Sequence, residues 1–506
     1  MKPAAATPDF IVTLPPPTPN GGLHVGHMAG PFLAADIFAK AAQAGGRSVH
    51  VLSFSDTNQS YVRATAEKQN RDPAELASGW TRDILNTLEI YGCQVDNYFE
   101  PGPASDGFVR DTLLRLYEAG VLKKKSFPFM YLPDEDQFLD EAGASGLCPR
   151  CLDDCKCGIC EACGFPTQAD TLLNPRSTND PSARVEVRHA EVLVLELETW
   201  RDVLRRFHSF GDAIRPKYRW LVDDALAGPL PDFPVTVPGS WGIEAGHPDL
   251  PGQVVNAWPE LALNFVHGYK QAASAGGTPK IVNFFGYDNS YFYAIVHVAL
   301  LHAAGMEQFL PHATVINEFY NLENAKFSTS RGHLIWARDI AADYPADLVR
   351  FYTALSAPGF EQGNFNAQDM EEVIERRLLA PYRRIAAAAA AAGQGAGLPE
   401  TAAGAAAVME ARVAASFSLE RFNLRQGAED VLKGLGAIES FQAAPGAGRD
   451  SVMQMLGAWA RAAAPLMPSV ASGLLRALEA GRMPGELAGQ GAAGDAAARS
   501  EEPEHA

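Results

Sequence analysis

Thr13-Leu14-Pro15-Pro16-Pro17-Thr18-Pro19-Asn20-Gly21-Gly22-Leu23-His24-Val25-Gly26-His27 is the stretch whose reading decides the fold. The apolar run from Phe10 to Leu14 reads as a buried strand, the Pro/Asn/Gly cluster as a tight loop, and His24 onward as a helix start. The helix extends over Met28 to Ala44 and stops at Gly45-Gly46. A second strand, Ser48 to Phe54, then runs toward Asp56. Strand, helix and strand in that order open a doubly wound parallel sheet, whose ligands lie outside the carboxyl ends of the strands. Two imidazoles flanking Gly26 at a helix N-terminus offer donors and a favourable dipole to a phosphate, and glycines let the backbone come close. A surface pair of histidines would give the same letters, so the rest of the chain must decide.

Composition narrows the classes. A chain of 506 residues holds roughly two to four domains, each able to bury its own core. Its 60 acidic and 42 basic side chains leave a formal charge of −18, which argues against DNA or any nucleic acid held through a global basic field. No window reaches about 18 uninterrupted apolar residues, and the first residues lack a secretory pattern, so a cytoplasmic, non-membrane protein is expected. Six of the seven cysteines lie between Cys148 and Cys163. In a cytosolic chain that clustering points to a metal and away from disulfides.

Asp56, at a strand end, suits the α-ammonium of an amino-acid substrate; equally it could cap a turn. After Lys123-Lys124-Lys125 the sequence leaves the nucleotide-binding pattern for an inserted module of about 120 residues between Glu100 and Trp220, too short for a separate editing domain. At its centre, Cys148-Pro149-Arg150-Cys151 and Cys160-Glu161-Ala162-Cys163 are separated by eight residues. Two CxxC turns so spaced suit a tetrahedral four-thiolate zinc site, structural because no coordination position stays open. Cys155 and Cys157, inside the loop, leave the ligand set open. Glu191 to Glu198 reads as a half-exposed strand, and Arg201, Arg205, Arg206, Arg215, Lys217 and Arg219 form the most basic stretch, either a solvated helix face or a phosphate contact. The sheet resumes with Lys280 to Phe285, ending at Gly286-Tyr287-Asp288, where a ribose diol could be held. Thr314 to Ile316 is a further strand, followed by the cationic loop Lys326-Phe327-Ser328-Thr329-Ser330-Arg331-Gly332, suited to charge on a leaving pyrophosphate.

His24-Val25-Gly26-His27 resembles the HIGH signature of class I aminoacyl-tRNA synthetases, and Lys326 to Arg331 resembles their KMSKS loop. With the zinc module between them, residues 10 to 369 look like a methionyl-tRNA synthetase. The resemblance implies an α/β fold: a Rossmann-type doubly wound parallel sheet with a zinc-knuckle insertion, followed by a C-terminal α-helical domain. The expected segments are 1–99 and 226–322 for the two catalytic halves, 100–225 for the insertion, 323–369 for the KMSKS-like and stem-contact part, 370–480 for the helical anticodon-binding-like domain, and 481–506 for a disordered tail. It also implies an ATP-dependent, AMP-forming ligase that uses Mg2+ with ATP and structural Zn2+ on Cys148, Cys151, Cys160 and Cys163. His24, His27 and Lys326 would be catalytic. Asn20, Gly26, Gly286, Asp288, Ser328, Ser330 and Arg331 would join them in binding ATP, while Pro16, Thr18, Asp56, Trp258 and Tyr293 would receive the amino acid.

Several positions depart from the family's pattern. Thr329 replaces the second lysine of the KMSKS loop. Pro16 and Thr18 stand where methionine enzymes present Leu and Tyr, and Val235-Thr236-Val237-Pro238 lacks a charged pair. Glu375-Arg376-Arg377-Leu378-Leu379 replaces an Asn-containing anticodon-reading helix. The departures together suggest transfer of the acyl group to a small amine or hydroxylamine, as in the synthetase-like part of hydrazine synthetases, with a separate cupin partner. Alternatives are a genuine methionine-tRNA ligase charging tRNA and a tRNA-binding pseudo-synthetase.

Overall fold

The computed structural model describes residues 7–209, 215–273, 277–326, 333–393, 400–443 and 447–487. The chain forms two compact units, one built from Met1–Gly22, Gly46–Leu85 and Gln94–Glu318, the other from Leu23–Gly45, Asn86–Cys93 and Phe319–Ala506.

In the first unit five parallel strands form one sheet, in the order Ala313–Asn317, Lys280–Gly286, Phe10–Thr13, Val49–Phe54, Asn97–Phe99. Ile11, Val12, Val282, Phe284 and Phe285 are all buried whatever their parity along the strand, the mark of a sheet with no solvent face. From the central strand the chain winds outward on one side through Val49–Phe54 and Asn97–Phe99. It resumes on the other side with Lys280–Gly286 and Ala313–Asn317. This reversal opens a crevice at the carboxyl ends of Phe10–Thr13 and Lys280–Gly286, where the Pro15-Pro16-Pro17 loop and the Tyr287–Asn289 turn leave the sheet. Inside it, the Thr13 hydroxyl donates to Asn283 Oδ1 at 2.9 Å, tying those two strands by side chain as well as backbone.

The inserted module belongs to the same unit. Its long pair, Lys123–Leu132 against Glu186–Leu195, is antiparallel. The second strand begins earlier than the sequence suggests and ends at Leu195, because Leu197–Trp200 turns into the Arg201–His208 helix. Nor is its end half-exposed: Leu193 and Leu195 enter the main core, while Val192 and Val194 pack with Phe127 on the opposite face. The basic stretch that follows is largely engaged within the chain. Arg201 pairs with Glu198, Arg219 with Asp223 and Lys217 with Glu318.

In the second unit the helix expected from His24 onward is interrupted. Gly30 takes φ −85° and ψ −119°, and Pro31 has no N–H to donate, so a single turn, Val25–His27, carries the histidines and Leu33–Ala44 forms a separate helix. Ala380–Ala391, Glu400–Ser416, Leu424–Gln442, Arg449–Ala463 and Pro468–Glu479 are the helices of the C-terminal part. Of the segment 481–506, residues 481–487 are described, and the Pro484 carbonyl accepts a hydrogen bond from the Tyr382 hydroxyl at 2.9 Å. At the core of this unit lies Arg350, with no exposed surface. Its guanidinium donates to Asp36 Oδ2 at 2.7 Å and to the carbonyls of Tyr91, Pro465 and Leu466 at 2.9, 2.8 and 3.0 Å. A buried charge is tolerable only when so completely paired. Arg350→Ala should lower the unfolding free energy by about 3–5 kcal/mol, measured as the fall of the urea midpoint by circular dichroism. A loss below about 1 kcal/mol would mean that apolar packing alone holds these segments.

Candidate functional site

Asp56 follows the Val49–Phe54 strand, and its backbone N–H donates to the Pro17 carbonyl at 3.0 Å, fastening the Pro-rich loop to the strand end. Its side chain is 5% exposed. Oδ2 accepts the Thr18 hydroxyl at 3.2 Å, and Oδ1 is buried with no hydrogen-bond partner. Burial pushes this carboxyl up to about 7, the Thr18 bond acting in the opposite direction. Such a group holds its charge readily only when a cation arrives. Thr18, expected to face the substrate directly, is thus the residue that orients Asp56.

Aromatic rings of the same unit stack in pairs. Trp258 stacks on Phe292 with centroids 3.6 Å apart and planes at 9°, and Tyr293 stacks on Phe285 at 4.0 Å. Tyr293 lies within electrostatic reach of both Asp56 and Asp288. A Cβ at Gly286 would lie 2.4 Å from Asp288 Oδ1, so a side chain there would displace that carboxylate. Asn20 directs its amide to the Thr65 hydroxyl at 3.4 Å, and Pro16 is half-buried.

Sequence reasoning missed three groups in this unit. Glu260, 1% exposed, accepts from Asn58 at 2.9 Å through Oε1 and leaves Oε2 buried without a partner. Burial and the charge of Asp56 push it up to about 8. Glu141 is likewise pushed up to about 8 by burial. His297, held down to about 3 by burial, keeps a partnerless Nε2. Glu260 had a signal, one carboxylate inside the apolar Ala257–Ala272 helix; Glu141 had none, lying in an acidic loop.

The histidines lie in the other unit, and their geometry fixes their chemistry. The His27 backbone N–H donates to His24 Nδ1 and the His24 backbone N–H to His27 Nδ1, both at 3.2 Å, and the rings stack at 3.7 Å. Burial, then the neighbouring ring, holds His24 down to about 2; His27, open at its outer edge, shifts the same way through loss of hydration. Both imidazoles are therefore neutral at neutral pH. With each Nδ1 accepting a backbone proton, each ring carries its hydrogen on Nε2, a donor without charge. Backbone bonds from Val25 to the Ile335 carbonyl and from Ala337 to Leu23 brace this turn. Gly26 separates the two histidines along the chain, just before His27. Lys326 ends the Ala325–Lys326 strand, while Ser328, Thr329, Ser330 and Arg331 lie outside the described residues.

The four expected cysteine ligands converge. The Sγ atoms of Cys148, Cys151, Cys160 and Cys163 all lie within 4.8 Å of one another, with Cys148 to Cys163 at 3.8 Å and Cys151 to Cys160 at 3.5 Å. Bonds of about 2.3 Å to a tetrahedral zinc place sulfurs about 3.8 Å apart, so the donor set fits that ion. Cys155 and Cys157 are outside the group; Cys155 packs into the small core with Met130, Ala144 and Leu172.

The carboxylates make stability depend on pH. Glu260 holds its proton up to about pH 8 in the folded chain, against an ordinary value of 4.5, so its contribution is complete below about 4.5 and is lost as pH rises through 8. The melting temperature of the unmodified protein, measured relative to that of Glu260→Gln by calorimetry, should fall steadily from about pH 5 to about pH 8.5. Parallel curves would refute the shift.

The sequence model of the family described as tRNA synthetases class I (M) matches residues 10–387. A methionine-tRNA ligase from Christiangramia forsetii is 27% identical over 395 residues, covering 74% of this chain and 56% of its own. One from Rubrobacter xylanophilus is 28% identical over 379 residues, covering 69% and 65%. The chain thus spans little more than half to two thirds of the length of these relatives. A Mycobacterium tuberculosis methionyl-tRNA synthetase, solved with methionyl-adenylate, superposes with a TM-score of 0.71 at 18% identity, covering 93% of this chain and 94% of that one.

Proposed function

The chain belongs to the class I tRNA synthetases (M), and on that footing we propose that it is an ATP-dependent, AMP-forming ligase that activates an amino acid and transfers it to tRNA. The observation that carries this reading is Asp56: a carboxylate at a parallel strand end, oriented by Thr18, with one oxygen left for a cation. An α-ammonium bonded there would leave the substrate carboxylate as the nucleophile. That oxygen attacks the α-phosphorus of ATP, the bond to the bridging oxygen breaks, and pyrophosphate leaves with its electron pair. A ribose hydroxyl of the tRNA terminus then attacks the acyl carbonyl, and AMP departs.

Roles carried over from the family's motifs fall on this chain's residues as follows. His24 and His27 donate from Nε2 to phosphate oxygens, strengthening as charge moves onto them. Lys326, with Ser328, Ser330 and Arg331, meets the pyrophosphate. Asp288, approached closely at Gly286, takes the ribose; Asn20 and Gly26 shape the nucleotide side. Trp258, Tyr293 and Pro16 bound the side-chain compartment. Mg2+ accompanies ATP, and Zn2+ on the four cysteines would be structural, closing the loop between two CxxC turns.

The departures from the family's pattern suggested a small amine or hydroxylamine acceptor and a separate cupin partner. The relatives found do not support either; as methionine-tRNA ligases they favour tRNA, and methionine is the first amino acid to test. The paired donors at His24 and His27 argue against a pseudo-synthetase.

Amino-acid-dependent exchange of pyrophosphate into ATP, followed by charging of tRNA, tests the proposal. Exchange with at least one amino acid and acylated tRNA are expected; no exchange with any of the twenty would refute it. His27→Ala should slow exchange by about 100-fold or more, and an unchanged rate would reduce this histidine to a capping residue. Metal analysis should find about one zinc per chain, and its removal should lower the melting temperature without a direct effect on phosphate chemistry.

A further inference from the structure

Within the first unit a cavity of about 560 Å³ lies beside the Asp56 region, inside the range of roughly 300–1,000 Å³ typical of small-molecule sites. Asn58, Glu141, Trp258, Tyr291 and Phe292 are among its lining residues, and Phe127, Phe129 and Phe138, packed in succession, form an apolar wall. Its carboxylates are not equivalent. Asp136 takes the Tyr131 hydroxyl, Asp140 pairs with Arg63, and Asp232 pairs with Lys125 at 2.8 Å. Glu141 instead faces neutral donors, the Tyr61 hydroxyl and the Trp258 indole. Lys156 lies within electrostatic reach of it but commits its ammonium to the Ala142 carbonyl at 3.1 Å and the Thr178 hydroxyl at 2.9 Å.

One further group marks this as a binding site. Tyr291, 1% exposed, lines the cavity with a hydroxyl that has no hydrogen-bond partner. Leaving a buried hydroxyl unsatisfied destabilises the fold, a cost that a ligand offsets. Arg63, the basic residue among the described lining residues, is already paired with Asp140 and Glu67. The lining therefore offers a carboxyl, a hydroxyl and the face of a stacked Trp258 and Phe292 pair, a combination suited to an ammonium.

We propose that this cavity binds a small organic amine, its ammonium on Glu141 and Tyr291 and its apolar body along the Phe129 and Phe138 wall. It is distinct from the α-ammonium site at Asp56, and it holds whether or not the amino acid is activated by ATP. The Glu141 carboxyl, pushed up by burial, gives its proton to solvent when the amine arrives as an ammonium, or to the amine when it arrives neutral, so that the bound pair is carboxylate and ammonium.

The test is binding of n-hexylamine and of its neutral counterpart 1-hexanol to the full-length protein without ATP, by calorimetry. Hexylamine should bind saturably and at least tenfold more tightly than hexanol. Glu141→Gln should weaken the amine by tenfold or more while leaving hexanol within twofold, and Tyr291→Phe should weaken the amine about threefold or more. Asp56→Asn, by contrast, should leave hexylamine binding within about threefold, and circular dichroism should show each variant folded. No saturable amine binding, equal affinity for amine and alcohol, or loss in Asp56→Asn with none in Glu141→Gln would overturn the proposal. Each of these readouts is independent of pyrophosphate exchange, so a failed exchange assay and a failed cavity assay are separate results.

Discussion

A carboxylate buried at the end of a parallel strand, with half of its hydrogen-bonding capacity unmet, is the constraint around which the first unit is organised. Asp56 could have been paired with an internal arginine, as Asp36 is with Arg350. Instead the protein gives it a threonine hydroxyl and the backbone of the Pro-rich loop, and leaves Oδ1 without a partner. An ion pair would have stabilised the fold and closed the site. The arrangement found stores the desolvation cost of a charge that only an incoming cation relieves.

The two families of titratable groups are displaced in opposite senses, and each displacement suits its task. Burial raises Asp56, Glu141 and Glu260 and lowers His24, His27 and His297. The carboxyls are thereby shifted towards neutrality, where a nearby cation would favour their charged form. The HVGH imidazoles remain neutral, and their reciprocal caps hold the hydrogen on Nε2, so they can approach phosphate as hydrogen-bond donors without the cost of burying a full charge.

Much of this was legible in the residues themselves. The apolar run at Phe10, the Gly45-Gly46 stop and the strand before Asp56 give the parallel sheet, because period and punctuation are local properties. Two CxxC pairs give a four-thiol cluster that fits a metal, because a turn presents both thiols of each pair; the structure then separates it from Cys155 and Cys157, which spacing could not do. What escaped was what depends on tertiary surroundings. Glu141 has an unremarkable neighbourhood in sequence and acquires its character only where the inserted module meets Trp258. The Thr18 hydroxyl's bond to Asp56 joins residues 38 positions apart, which the sequence alone does not pair. The sequence suggests one continuous helix after His24, whereas Gly30-Pro31 breaks it after one turn, so the histidines rely on each other's backbone N–H groups more than on a long helix dipole.

Asp56 as the receptor of an α-ammonium is most directly tested by comparing methionyl-sulfamoyl-adenosine with the analogue that lacks only its α-amino group, by calorimetry at neutral pH. The amino compound should bind the unmodified protein about 100-fold more tightly, the worth of a buried hydrogen-bonded charge pair, and the preference should vanish in Asp56→Asn. Equal affinities in the unmodified protein, or a preference that survives the substitution, would contradict the assignment.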